Sequence, residues 1–537
     1  MKLEQLYVNN SNQLLQDYRD QKESIGSFFH FKNEQSSFEE RLSDLKNHPV
    51  RRLELTKIIR KYMSQLESTP KIEKHLDELE KDAVLVIGGQ QSGLLTGPMY
   101  SINKAISVLL LAKEQREKLG VPVVPLFWVA GEDHDLDEIN HTFYPLSNRL
   151  VKHTYTEDGI VKKMASAANL NYEALHEWIE QLFIQFGETA YTKELLANVL
   201  HVAENSDTYT TFFVKLMNGL FKEQGLLYMD AADADLRAYE APYFKTLINH
   251  SEEIAAVVTA REAYLEELGY GSPIGATNNA ANLFYVKDGE RHLLTRKDGY
   301  FMNSSIGVKF TREEMLDLAD DEACFSNNVV TRPMMQDLVF PVLSFVGGPG
   351  ELAYWATLKD GFELLGMKVP IFTPRMNVTY VTRETVANLQ EIGITAADAI
   401  NGAVNQLKAK YDEEIYDQEA KTAIEEAKNL LSKQYKVIQQ HLKEHEIKIE
   451  RIVDKNLEFH KHQFDFLMKQ IEKDIRLKHS VAFKRFEQVE NELLPAGGFQ
   501  ERVYTPYPYL NQFGEGFISG IMALPLQTSY KHQIVYL

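Results

Sequence analysis

The sequence predicts an α/β protein with a parallel-sheet core and a long helical arm toward the C-terminus. Three observations predict it. Two apolar runs, Ala83–Ile87 and Val121–Val129, flank a helix-period segment from Pro98 to Leu119, which makes one βαβ unit. A later apolar run, Leu338–Val346, leads into Gly347-Gly348-Pro349-Gly350 and a helix from Glu351, so the strand–glycine–helix order occurs twice. No proline occurs between Pro374 and Pro495, and that stretch is rich in Glu, Lys, Gln and Leu.

The bulk numbers limit the function classes. A chain of 537 residues has room for more than one domain. Its 44% apolar and 25% charged content is that of an ordinary globular protein. A net charge of -19 argues against nucleic acid and against an anionic membrane surface as partners. Apolar runs such as Val108–Ala112 are too short to span a bilayer. The opening MKLEQLYVNN interleaves polar and apolar residues and lacks a signal-peptide core, so a cytoplasmic location is expected. Cys324 is the single cysteine, which leaves no disulfide framework and no thiolate zinc site.

Taken in order, residues 1–82 read as a helical segment packing on the core, with Leu53, Ile58, Ile59, Tyr62 and Leu66 giving an amphipathic pattern. Residues 83–140 form the first half of the core. The helix from Pro98 carries Ile102, Ala105, Ile106 and Leu109 on its apolar face and stops at Gly120. Residues 141–337 read as inserts and connecting core elements. They include a hairpin-rich part from His141 to Lys163, a strand at Leu226–Asp230, and tight turns at Asp288-Gly289 and Asp298-Gly299. Residues 338–383 are the second half of the core, with Val369–Thr373 as its last strand. Residues 384–492 read as a helical coiled coil. Ile424, Leu431 and Ile438 recur at seven residues, and Tyr435, Leu442 and Ile449 form a second series. One straight helix of about 50 residues would reach about 75 Å, so an antiparallel hairpin or projecting arm is expected. Residues 493–537 are glycine- and aromatic-rich and return to the core.

Three motifs sit where an open parallel sheet binds ligands. In the first, Gly89, Gln90, Gln91, Ser92, Gly93, Thr96 and Gly97 form a polar turn ahead of a helix, fit for substrate or nucleotide. It matches neither a dinucleotide fingerprint nor a P-loop, and a structural turn is the alternative reading. In the second, Trp128 is followed by Glu132-Asp133-His134-Asp135. A carboxylate beside His134 suits it to acid–base work, so Asp133, His134 and Asp135 are the candidate catalytic residues. The alternatives are a capped helix start or, with awkward geometry for adjacent ligands, a metal site of a hydrolase; no metal is expected. The third comprises Gly347, Gly348, Gly350, Glu351 and Tyr354, with Arg332, Gln336 and Asp337 upstream and Arg375 after the last strand. Arg332 and Arg375 are forks suited to phosphate or carboxylate, unless they serve only in salt bridges.

At GGQQSGLLTGPMYSINKA, FWVAGEDHDLDEI, RPMMQDLVFPVLSFVGGPGELAYWA and FTPRMNVTYV the chain resembles the BshC family, cysteine ligases of bacillithiol biosynthesis. The likeness runs over the whole length. It implies a Rossmann-like core with two connecting inserts, related to the class I aminoacyl-tRNA synthetase group, and a coiled coil used for homodimerisation. It implies addition of L-cysteine to glucosaminyl-malate, with cysteine activated as an adenylate, and ATP or ADP as the nucleotide ligand. The HxGH signature of that wider group falls near Leu95-Thr96-Gly97-Pro98, where only the glycine matches, and no KMSKS-like lysine loop is evident. A non-catalytic binding or scaffold protein that works through its coiled-coil arm is the rival reading.

Overall fold

The computed structural model describes residues 1–8, 12–46, 48–146, 149–156, 163–320, 324–528 and 531–537. The chain divides into two compact units. One comprises Met1–Leu146, Leu150–Tyr380 and Gly498–Leu537, and the other Ser147–Arg149 and Val381–Gly497.

Five parallel strands organise the first unit: β1 (Val84–Gln90), β2 (Val123–Val129), β3 (Leu227–Asp230), β4 (Val342–Gly347) and β5 (Ile371–Pro374). Their order across the sheet is β5-β4-β1-β2-β3. The chain therefore winds outward from β1 through β2 to β3, then returns to the far side of β1 as β4. That reversal is the doubly wound, Rossmann-like order, and its crevice lies at the carboxyl ends of β1 and β4. The central strands are apolar on both faces, as a buried parallel sheet requires. Pro125 is accommodated in β2 because pairing to β3 begins at Leu126, leaving Pro125 a neighbour on one side only.

Four helices of this unit bear on the site: α1 (Tyr100–Leu119), α2 (Ala234–Asn249), α3 (Thr331–Val339) and α4 (Pro349–Trp355). α1 crosses from β1 to β2 and ends at Gly120, whose φ of 68° is the left-handed cap that glycine adopts at no steric cost. The apolar run Leu338–Val346 is not one strand. Its first residues finish α3, Pro341 interrupts, and β4 starts at Val342, because proline has no N–H for either ladder. The N-terminal segment is not wholly helical. Lys2–Leu6 is a strand paired antiparallel with His532–Tyr536, next to Asn377–Val381, so both chain ends join one small sheet.

The insert between β3 and β4 contains an antiparallel sheet built from Ala280–Lys287, Glu290–Lys297, Tyr300–Asn303, Val308–Phe310 and Phe325–Asn327. Its two tight turns are set by Asp288 (φ 53°) with Gly289 (φ 79°), and Asp298 (φ 53°) with Gly299 (φ 80°). Two successive left-handed residues match the twist of the flanking strands. In the hairpin-rich part, His141–Leu146 and Arg149–Thr154 are strands, while 147–148 and 157–162 lie outside the described residues.

In the second unit, α5 (Gln418–Glu444) and α6 (Glu450–Lys478) form an antiparallel hairpin. Lys428 pairs with Asp465 at 2.5 Å, Tyr435 donates to Asn456, and Gln439 donates to Asp454 at 2.5 Å. The second heptad series stops at Leu442. Ile449 falls between the helices, because α5 ends at Glu444 and Glu446 turns the chain with a φ of 56°. No helix among the described residues is long and apolar enough to cross a membrane.

Candidate active site

A cavity of about 340 Å³ opens at the carboxyl ends of β1 and β4. β1 contributes Gly89 and Gln90, followed by Gln91. Tyr100 and Lys104 come from α1, Trp128 from β2, and Asp133 from the loop beyond it. Arg332 and Gln336 come from α3, Gly348 caps α4, and Gly350, Glu351 and Tyr354 lie within that helix. Arg375 and Arg502 complete the wall. Four cationic side chains thus face two carboxylates, within a chain of net charge -19.

Close backbone packing shapes this floor. A Cβ on Gly89 would sit 2.5 Å from the Trp128 carbonyl oxygen, so only glycine lets β1 lie this near β2. Lys104 is 1% exposed and donates to Gly89 O at 2.6 Å, Gln90 Oε1 at 3.0 Å and Glu351 Oε2 at 2.6 Å. Burial pulls its ammonium below the usual lysine range, and the Glu351 carboxylate opposes that. Glu351 Oε2 also accepts the Gly348 N–H at 2.7 Å, closing a cap at the start of α4. Arg332 Nη2 donates to the Tyr354 hydroxyl at 3.2 Å. Burial works against the Arg332 charge, but Tyr354, Glu132 and Glu351 outweigh it and hold the group above the ordinary arginine range. Arg375 is tied to Glu501 at 2.8 Å, which brings the C-terminal segment to the cavity wall.

The acidic loop after β2 is held from three sides. Asp133 accepts from Gln91 Nε2 at 2.9 Å and from the Asp135 N–H at 3.3 Å, with Arg291 Nη1 4.0 Å away. Burial disfavours the Asp133 charge, yet Gln91 and Arg291 keep its carboxyl below the ordinary range. Glu132 is buried and points away from the cavity, accepting from Arg237 of α2 and from Ser326 Oγ at 2.6 Å. Burial is again outweighed, here by Arg237 and Arg291, so Glu132 stays ionised and pins the loop to the insert.

The structure gathers twelve of the sequence-predicted residues around one cavity: Gly89, Gln90, Gln91, Trp128, Asp133, Arg332, Gln336, Gly348, Gly350, Glu351, Tyr354 and Arg375. It places others elsewhere. His134 is beside the cavity, its Nδ1 4.0 Å from Asp133 Oδ1 and its ring edge-on to Phe284 at 5.8 Å. Asp135 is exposed on the same loop. Ser92 is buried against Thr210 at 3.1 Å. Thr96 is buried with a φ of 65° and bonds the Leu95 carbonyl at 2.6 Å. Gly93 and Gly97 line a small annex next to Gln90 and Tyr100. Gly347 faces a separate small cavity, and Asp337 is buried against Arg41 of the N-terminal segment. Among the described residues no three His, Cys, Asp or Glu side chains gather as a metal site.

Lys104, Tyr100 and Arg502 escaped the sequence reading. For Lys104 a signal existed: it lies between Ile102 and Ala105-Ile106 in the first half of a helix that is buried from Ser101 through Leu109. A lysine there must find a partner. Arg502 carried no local signal, since it reaches the cavity only through the return of the chain end.

Two family models divide the chain between them. The Rossmann-like N-terminal domain of the bacillithiol biosynthesis protein BshC matches residues 1–376, and its C-terminal coiled-coil domain matches residues 378–537. The chain belongs to the BshC family. A protein of Lysinibacillus sphaericus described as "Putative cysteine ligase BshC" is 46% identical over 538 residues, covering 100% of both chains. Relatives with the same description from Bacillus velezensis (35%, 100% of both chains) and Geobacillus thermodenitrificans (36%, 95% of both) are also similar. BshC membership thus accounts for the sheet, the insert and the helical arm in one chain.

Proposed function

We propose that this BshC-family enzyme is the cytoplasmic ligase that joins L-cysteine to glucosaminyl-malate through an amide, giving bacillithiol, with ATP or ADP as its nucleotide ligand. One observation carries the reading: the cavity at the switch point sets Lys104, Arg332, Arg375 and Arg502 against Asp133 and Glu351. Such a wall suits a ligand with several anionic oxygens and an amine. The malate moiety offers two carboxylates, which Arg332 and Arg375 can take as planar forks. Asp133 and Glu351 offer acceptors to an ammonium or to sugar hydroxyls. The names of the relatives support cysteine as the second substrate.

Amide formation removes a proton from the attacking sugar amine. His134, next to Asp133 on the loop that rims the cavity, is the group assigned to carry it. The cationic wall also fits nucleotide phosphates, and ATP when bound would supply activation of the cysteine carboxylate. The partner in this reading is a second copy of the chain. Ile452, Phe459 and Phe466 recur every seven residues on α6 and are 64%, 59% and 58% exposed, an apolar stripe suited to a coiled-coil dimer.

Titration calorimetry tests the cavity assignment. Glucosaminyl-malate should bind the full-length protein saturably, and Arg332→Ala should weaken it at least ten-fold. Equal affinity in the variant would remove the sugar–malate from this cavity.

A further inference from the structure

We propose that Lys104 is a positioning residue: it turns the Gln90 side-chain amide so that the NH2 group faces the ligand, making the cavity floor selective for anionic oxygen. The inference rests on the reading of this cavity as the substrate site. A lysine ammonium has three donors and no acceptor. All three Lys104 donors are spent on Gly89 O, Gln90 Oε1 and Glu351 Oε2, at 2.6, 3.0 and 2.6 Å. Lys104 therefore has no N–H left for a ligand and acts through its neighbours.

Two of those neighbours leave it little freedom. Gly89 O belongs to β1, and Glu351 is itself held by the Gly348 N–H at 2.7 Å. The ammonium is thus anchored on both sides of the switch point, between β1 and the start of α4. Facing it, the Gln90 amide has one acceptable orientation. Reversing the amide would set NH2 against ammonium, donor against donor. With Oε1 committed to Lys104, Nε2 is the group that Gln90 offers to the cavity, which it lines. Among the described residues no acceptor takes that NH2 group. The same lysine holds Glu351 Oε2, so one buried cation fixes a donor on one wall and a carboxylate on the other.

Gln90→Glu and Gln90→Met test the claim together. Gln90→Glu is isosteric and gives Lys104 a stronger partner, but it replaces the ligand-facing donor with a charged acceptor that repels any anion. Gln90→Met removes the donor without adding charge, so both should lose affinity. A loss confined to Gln90→Glu is charge repulsion and overturns the inference. Full-length wild type and both variants are titrated at pH 8 with glucosaminyl-malate and, separately, with inorganic pyrophosphate, alongside thermal melts. The expected result is at least a ten-fold loss of affinity in both for whichever anion wild type binds, with no fall in melting temperature in Gln90→Glu. A merely structural Gln90 would lower the melting temperature and leave affinity alone. Lys104→Met, which frees the amide, should also lose at least ten-fold. Unchanged affinity in Gln90→Glu overturns the inference while leaving the substrate reading intact. If wild type binds pyrophosphate but not glucosaminyl-malate and both variants lose it, the substrate reading fails and the inference stands. If wild type binds neither anion, both fail.

Discussion

Arg375, just past the last core strand, donates to Glu501 at 2.8 Å, and both side chains are buried. Glu501 also accepts from Asn103 Nδ2 at 2.6 Å and from the Val378 N–H at 3.2 Å. One carboxylate therefore joins α1, the end of β5 and the returning C-terminal segment behind the cavity. Glu501→Ala should strand a buried guanidinium and two further donors, and cost about 3–5 kcal/mol of stability. Urea denaturation monitored by circular dichroism checks this. A loss under about 1 kcal/mol would mean that the pair does not organise the fold.

Arg332 should discriminate between charge and shape. Arg332→Lys keeps the positive charge but loses the planar fork, so it should recover only part of the binding lost in Arg332→Ala. Calorimetry with glucosaminyl-malate gives both ratios. Full recovery in the lysine variant would reduce Arg332 to a point charge.

The buried Asp230 should leave a signature in the pH dependence of stability. Burial pushes its carboxyl up to about 6, against hydrogen bonds from Ser166 and the Ala232 N–H. The native state then holds a proton that the unfolded chain has released above its ordinary value of about 3.9. Stability from this group is full at low pH and declines as pH rises from about 4 through about 6, by about 3 kcal/mol in total. Denaturation midpoints of wild type and Asp230→Asn, compared from pH 4 to 7, should diverge in that direction. Parallel curves would show that Asp230 is ionised in the native state.

The stripe on α6 makes the oligomeric state testable. Phe459→Asp puts a charge at the middle of the Ile452–Phe459–Phe466 series, away from the buried Val453. Sedimentation velocity should find a dimer for wild type and a monomer for the variant, with helical content unchanged. A variant that remains dimeric would place the dimer contact elsewhere.

What the sequence made legible was local and periodic. Ala83–Ile87 and the helix to Gly120 declared themselves through apolar runs and a glycine stop, and the Asp-Gly pairs declared two turns by their left-handed backbone. What stayed hidden depended on distant pairing. Lys2–Leu6 is a strand only because His532–Tyr536 lies beside it. The heptad series in 384–492 did not disclose that Glu446 would reverse the chain before Ile449. At the site, the glycine turns and acidic loop were visible because each sits beside a strand end. Glu132 was visible as a carboxylate, but its turn away toward Arg237 depends on α2, about a hundred residues later.

The most direct test of the ligase assignment is product formation by the full-length protein supplied with ATP, L-cysteine and glucosaminyl-malate, followed by mass spectrometry. A cysteine ligase yields a species heavier than glucosaminyl-malate by one cysteine residue, dependent on the protein and diminished in Arg332→Ala. Absence of that species under all nucleotide conditions, with folded protein and all substrates present, would contradict the assignment.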